Sequence, residues 1–300
     1  MKNLILSSRK SFLARIQTRI ASEKIKKYFS GIIQFDYSNS LGDIDHSKKA
    51  WENHGFGIFT NTLSKKLITK EVDVVVHSFK DLPVKRSNKL SYMCLEREDP
   101  RDVVLIKKTS LKKKKLVIAT SSPRREYYLK LLKDFLPYQN LKSEPIRGNI
   151  QTRLEKIFIS NKQDGVFIAK AAIDRLLNAD QNDFPDIKNT LLSKINECLW
   201  SVVPLSINPS SPGQGALAVE IRSKDTDLKK ILSKINNVVD YTEQVGDLIS
   251  GEVNTIYNST IGYITQLANT DANLIEGDIN EFDSDIDSIN SDIDNFFDSL

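Results

Sequence analysis

The chain has 300 residues, 40% of them hydrophobic and 27% charged, which argues against a mainly disordered polymer and allows two or three domains with cores of their own. Two cysteines argue against a disulfide framework, three scattered histidines against a metal centre, and no stretch approaches the ~20 apolar residues of a membrane span. The net charge of +4 hides a split: all 43 Lys and Arg lie at or before Lys234, whereas 14 of the 39 Asp and Glu lie after it, giving +18 over residues 1–234 and −14 over 235–300.

That asymmetry marks a boundary near 235. The opening MKNLILSSRKSF has an apolar run too short for a signal-peptide core, which points to the cytoplasm. Along the chain, near-continuous apolar runs are read as buried strands: NLIL (3–6), VDVVV (72–76), LVIAT (116–120) and DGVFIA (164–169). Helical patterns follow three of them, over 12–29, 125–135 and 170–177. The alternation predicts an α/β architecture with a largely parallel sheet covered on both faces. Ligands of such folds bind beyond the carboxyl ends of the strands, so the residues after each run are the candidates for chemistry.

Those residues share a pattern. Ser7-Ser8-Arg9-Lys10-Ser11 follows the first run, and Ser121-Ser122-Pro123-Arg124-Arg125 follows the third, with Ser122 placed to cap a helix and Pro123 suited to its first position. Arg147-Gly148-Asn149-Ile150-Gln151-Thr152-Arg153 pairs two arginines across a glycine turn. Each is a natural anion site, because free N–H groups and the helix dipole attract a carboxylate or phosphate that a guanidinium can grip. The second run differs. It enters His77-Ser78-Phe79-Lys80-Asp81-Leu82-Pro83, where Asp81 is either a turn-capping partner of the adjacent lysine or a carboxylate that stabilises a cationic intermediate. Gly213-Gln214-Gly215 reads as a tight turn entering a strand, and no Walker loop, GxGxxG motif or nucleophile elbow occurs. The arginines sit in separate segments with no aromatic-interleaved basic stripe, which argues against nucleic acid.

Taken together, SSRKSFLARIQ, HGFGIF, VDVVVHSFKDLPV, EREDPRDVVL, ATSSPRR, IRGNIQTRL, DGVFIAKAAIDRL and SPGQGALAVEIR resemble, in order and from about residue 4 to 222, the porphobilinogen deaminase (hydroxymethylbilane synthase) family. The resemblance implies two periplasmic-binding-protein-like α/β domains around a central cleft, at roughly 1–96 with 206–233 and at 97–205, plus a smaller, divergent third domain over 234–300. It implies a cytoplasmic monomer that joins four porphobilinogen units to a linear tetrapyrrole, releasing ammonia, on a dipyrromethane cofactor, with neither nucleic acid, membrane nor metal as partner. Asp81 is then the residue that stabilises the pyrrole cation. Binding positions for cofactor and substrate fall on Arg9, Ser11, Gln17, Ser78, Lys80, Thr120, Ser121, Ser122, Arg124, Arg125, Arg147, Arg153, Arg175 and Gln214, of which Gln17 and Gln214 line the cleft.

The resemblance fades after residue 222. The family's cofactor-bearing cysteine would fall at Tyr257 or Asn258, and neither Cys94 nor Cys198 is near that position, so the attachment residue is unassigned. The alternative reading is a homologue that binds pyrrole polycarboxylates without turnover. The last thirty residues hold ten acids and no bases, a pattern open to an amphipathic helix or to low-complexity disorder.

Overall fold

In the computed structural model the described residues are 3–40, 59–83, 87–132, 140–160, 162–180 and 184–235, all within the compact unit Met1–Glu243. The positions Tyr257 and Asn258, and the whole acidic end of the chain, lie outside the described residues, as does the boundary expected near 235 beyond its first residue.

The first lobe contains β1 (Asn3–Arg9), α1 (Phe12–Lys26), β2 (Ile32–Ser38), α2 (Asn61–Ile68), β3 (Val74–Ser78) and β4 (Leu90–Cys94). The chain then crosses to a second lobe of β5 (Asp102–Lys107), β6 (Lys115–Ala119), α3 (Pro123–Leu132), β7 (Asn140–Glu144), α4 (Ile150–Ser160), β8 (Gly165–Ala169), α5 (Lys170–Leu177), α6 (Pro185–Asn196) and β9 (Cys198–Val203). It returns to the first lobe through β10 (Leu217–Arg222) and α7 (Thr226–Ser233). Two five-stranded sheets result, in the orders β2-β1-β3-β10-β4 and β7-β6-β8-β5-β9.

The period-2 alternation of a strand explains how both faces of each sheet are covered. Val74 and Val76 of β3 join Ala21 and Ile25 of α1 and Leu228 and Leu232 of α7, whereas Val75 between them faces Leu63 and Leu67 of α2. In the second lobe Val103 and Leu105 pack with helices α4, α5 and α6, while Val104 and Ile106 pack with Leu129 and Leu132 of α3. Burying each such aliphatic side chain stabilises the fold by roughly 1.5–3 kcal/mol. Helix α1 takes part in both lobes, because Ile16 belongs to the core of the second and Ala21 and Ile25 to that of the first.

The sheets are mixed, not largely parallel. β1 runs parallel to β2 and β3, and β6 to β7 and β8, but β10 is antiparallel to β3 and β4, and β5 to β8 and β9. The reason is where the chain enters. Asp102 begins β5 opposite Ala169, the carboxyl end of β8, and Leu217 begins β10 opposite Ser78, the carboxyl end of β3. A segment arriving from the rim where the parallel strands finish can only run away from it. Both crossings thereby deliver their residues to that rim. Among the described residues no helix is long and apolar enough to cross a membrane.

Candidate functional site

β3 ends in a 3-10 turn, Phe79–Asp81, which is held on three sides. Gln17, buried on α1, donates from Nε2 to Ser78 Oγ at 3.0 Å. The Phe79 N–H donates to Ala216 O at 3.1 Å, and Lys80 Nζ donates to Gln214 Oε1 at 3.0 Å. Gln214 sits between two glycines of positive φ, +65° at Gly213 and +95° at Gly215, a backbone path that L side chains rarely follow. Asp81 itself is half-buried beside Lys80.

Across the rim, α3 starts at Pro123 as its sequence predicts, with Ser122 O accepting from Glu126 N at 2.9 Å and Ser122 Oγ lying 3.5 Å from Arg125 N. Ser11 caps α1 in the same way, its Oγ accepting from Ala14 N at 3.4 Å. Thr120 Oγ1 accepts from Ser122 N at 3.2 Å. Ser121 Oγ donates to Ile146 O at 2.7 Å and accepts from Ile146 N at 2.9 Å, which fixes the segment leading to Arg147. At Gly148, with φ +116°, the chain turns into α4, and Arg153 Nε donates back to Gly148 O at 2.7 Å. These serines and threonine thus shape the turns that present the arginines.

The two consecutive arginines of α3 share one acid. Asp102, fully buried, accepts from Arg124 Nη2 and from Arg125 Nη2, both at 2.7 Å, and from Asn208 Nδ2 and Gln214 Nε2 at 2.9 Å. Arg124 also donates to Asn208 Oδ1, Pro209 O and Ser211 Oγ, so most of its N–H groups are committed to the returning crossing. Despite the desolvation of its buried site, Asp102 is held far below the ordinary carboxylate range by those two guanidiniums. Arg175, also buried, turns the other way: it pairs with Glu98 at 3.1 Å and donates to Gly215 O at 2.6 Å, bracing the glycine turn from beneath.

The remaining cations repel one another. Desolvation lowers Arg153 to about 10, and Arg125, Arg147 and Arg9 push the same way while Asp81 opposes them. Lys80 is lowered to about 8, first by the protein wall that desolvates it and then by Arg125, with Asp81 and Asp102 opposing. Water still reaches this exposed residue and screens those charges. Arg9 additionally faces the Phe59 ring at 4.3 Å. Among the described residues the groups that act most strongly on Lys80 and Arg153 make a set of Arg9, Lys80, Arg124, Arg125, Arg147 and Arg153 with Asp81 and Asp102, six cations to two carboxylates. Such an excess fits a ligand that brings several carboxylates. A dipyrromethane bearing acetate and propionate groups meets that description.

Asp102 lies within the motif EREDPRDVVL but is not among the site residues that the sequence singles out, and Asn208 lies outside the family motifs. That motif and the position of the acid directly before the apolar run Val103–Ile106 are the signals the sequence offers for Asp102. Cys198 is buried at the start of β9 and Cys94 is half-buried on the edge strand β4. Among the described residues no cluster of three potential metal ligands occurs.

Residues 4–230 match the family model "Porphobilinogen deaminase, dipyromethane cofactor binding domain". The chain is 38% identical over 248 residues to the porphobilinogen deaminase of Caldicellulosiruptor saccharolyticus, covering 81% of this chain and 77% of that protein. It is 34% identical over 243 residues to that of Chlorobium phaeobacteroides, covering 79% and 70%. Among solved structures it is similar to a periplasmic binding protein of Salmonella typhimurium with high arginine specificity, at 15% identity and a TM-score of 0.41 over 84% of this chain and 99% of that one.

Proposed function

Because the chain belongs to the porphobilinogen deaminase family, we propose that Asp81 and the cations of the strand-end turns carry out that family's reaction, the joining of four porphobilinogen units into hydroxymethylbilane with loss of ammonia. The observation that supports these roles is the placing of a half-buried carboxylate, Asp81, in a set that among the described residues holds six cations and two acids.

When ammonia leaves, the aminomethyl C–N bond breaks and positive charge spreads over the pyrrole ring and its N–H. Asp81 stabilises that charge, a stronger effect in a partly desolvated cleft than in water. Arg9, Lys80, Arg147 and Arg153 bind the substrate and cofactor carboxylates, with Arg124 and Arg125 held beside them by Asp102. The serine hydroxyls and Thr120 keep the turns in shape, as their hydrogen bonds to Ala14 N, Ile146 and Ser122 N indicate. Dipyrromethane, when bound, supplies the pyrrole end on which the chain is extended, and the residue that tethers it is unassigned. We place the work in a cytoplasmic monomer with two α/β domains, 1–96 with 206–233 and 97–205, acting on porphobilinogen and not on nucleic acid.

Purified full-length protein supplied with porphobilinogen is expected to release ammonia and form a product that cyclises to uroporphyrin. Binding measured by calorimetry without ammonia release would instead favour the non-catalytic homologue.

A further inference from the structure

Asp102 opens β5 at the rim between the lobes and is fully buried. Its Oδ2 accepts from Arg124 Nη2 and Asn208 Nδ2, and its Oδ1 from Arg125 Nη2 and Gln214 Nε2. Four donors saturate the carboxylate and fix it. The Gln214 amide donates to Pro100 O at 2.7 Å as well as to Asp102. With its nitrogen committed twice, the amide has one orientation, and its oxygen must face Lys80 Nζ, 3.0 Å away. A continuous set of contacts therefore runs from the guanidiniums of α3 in the second lobe, through Asp102 and Gln214, to the ammonium next to Asp81 in the first.

We propose that Asp102 is a positioning residue for the deamination: it holds Arg124 and Arg125 at the rim and, by orienting the Gln214 amide, sets where the Lys80 ammonium stands relative to Asp81. The inference rests on the family reading of the site. A salt bridge that only pinned α3 to the start of β5 within the second lobe would need Arg124, Arg125 and Asp102, and would leave the Gln214 amide free to turn or be replaced by water. Here its oxygen is instead aimed at the one cation that adjoins Asp81 in sequence. Asp102 thereby ties the geometry of the carboxylate-binding side to that of the cation-stabilising side.

The test uses Gln214→Met, Asp102→Asn and Asp102→Glu in the full chain. Gln214→Met removes the amide, leaves no buried charge behind, and keeps every charge facing Lys80, namely Arg124 and Arg125 on one side of the balance and Asp81 and Asp102 on the other. Two readouts are taken: kcat and KM for ammonia release, and the Lys80 titration followed by NMR of carbon-13-labelled lysine, assigned by the peak lost in Lys80→Arg. Gln214→Met is expected to lower kcat roughly 10- to 100-fold with a smaller change in KM, and to move the Lys80 titration below that of the wild type because the ammonium loses an acceptor. Asp102→Asn is expected to shift Lys80 the same way, and Asp102→Glu to recover part of kcat. Should Asp102→Asn fail to fold, the other two variants decide. A Gln214→Met protein with wild-type kcat and an unmoved Lys80 titration overturns the proposal. The titration is read without substrate, so it still decides the matter if the wild type itself releases no ammonia, the outcome that overturns the proposed catalytic function.

Discussion

A β-carbon at Gly213 would lie 1.9 Å from Cδ1 of Phe79, so the glycine turn and the ring that precedes Lys80 and Asp81 are fitted against each other with no room to spare. The backbone at Gly213 also has φ +65°. Gly213→Ala therefore combines a steric collision with a conformation unfavourable to alanine, and is expected to cost roughly 1–3 kcal/mol of stability. Urea denaturation measures the loss. Because Phe79 must move to accept the methyl group, kcat is expected to fall further than stability alone explains.

Asp81 offers a cleaner separation of chemistry from folding. It is half-buried in a 3-10 turn and not part of a hydrophobic cluster, so Asp81→Asn should melt close to the wild type. Loss of one charge directed at the developing cation is expected to reduce kcat by about 10²- to 10³-fold. A variant that retained a tenth or more of wild-type kcat would contradict the role assigned to Asp81.

The acid limb of stability should report on Asp102. Its folded pKa is depressed by Arg124 and Arg125, so the carboxylate contributes stability that is fully present above the ordinary value of 3.8 and is lost as pH falls from there towards the depressed value. Chemical denaturation between pH 6 and 2 should show this decline. Asp102→Asn should lack that portion of the decline and be weaker by roughly 3–5 kcal/mol at neutral pH, since two guanidiniums are left without their acid.

Cys198 should be chemically silent in the folded protein. Burial, and next the charge of Glu197, push its thiol up to about 11, and its Sγ donates to Lys194 O at 3.5 Å. Only a minute thiolate fraction exists at pH 7.5, and the thiolate is the nucleophile. Iodoacetamide followed by peptide mass spectrometry is expected to label Cys198 in urea and to spare it in buffer. Comparable labelling in both would show that the site opens or that the thiol is ionised.

The sequence makes the centre of each sheet easy to see and the edges hard. NLIL, VDVVV, LVIAT and DGVFIA correspond to β1, β3, β6 and β8, central strands whose apolar runs are largely buried on both faces. The edge strands β2, β7 and β9 read IIQFDYS, NLKSE and CLWSVV, half-exposed or polar, and give no comparable signal. The run Val103–Ile106 is as apolar as the central strands, but charged neighbours at Arg101, Asp102, Lys107 and Lys108 hide it. Its direction is set by a crossing between lobes, a property of tertiary structure that local composition does not encode. The same holds at the site. Cations that follow a strand and start a helix announce themselves locally, whereas Asp102 is defined by donors lying 22, 23, 106 and 112 residues away.

Helix α1, which gives Ile16 to one core and Ala21 and Ile25 to the other, makes the two lobes unequal partners in assembly. A fragment ending after β4 would carry α1 with part of its apolar surface uncovered, and would lack β10, the strand between β3 and β4. A fragment starting there would miss Ile16. Neither fragment holds all the residues that fill its interior, so the rim that gathers Asp81 and the arginines depends on segments from both.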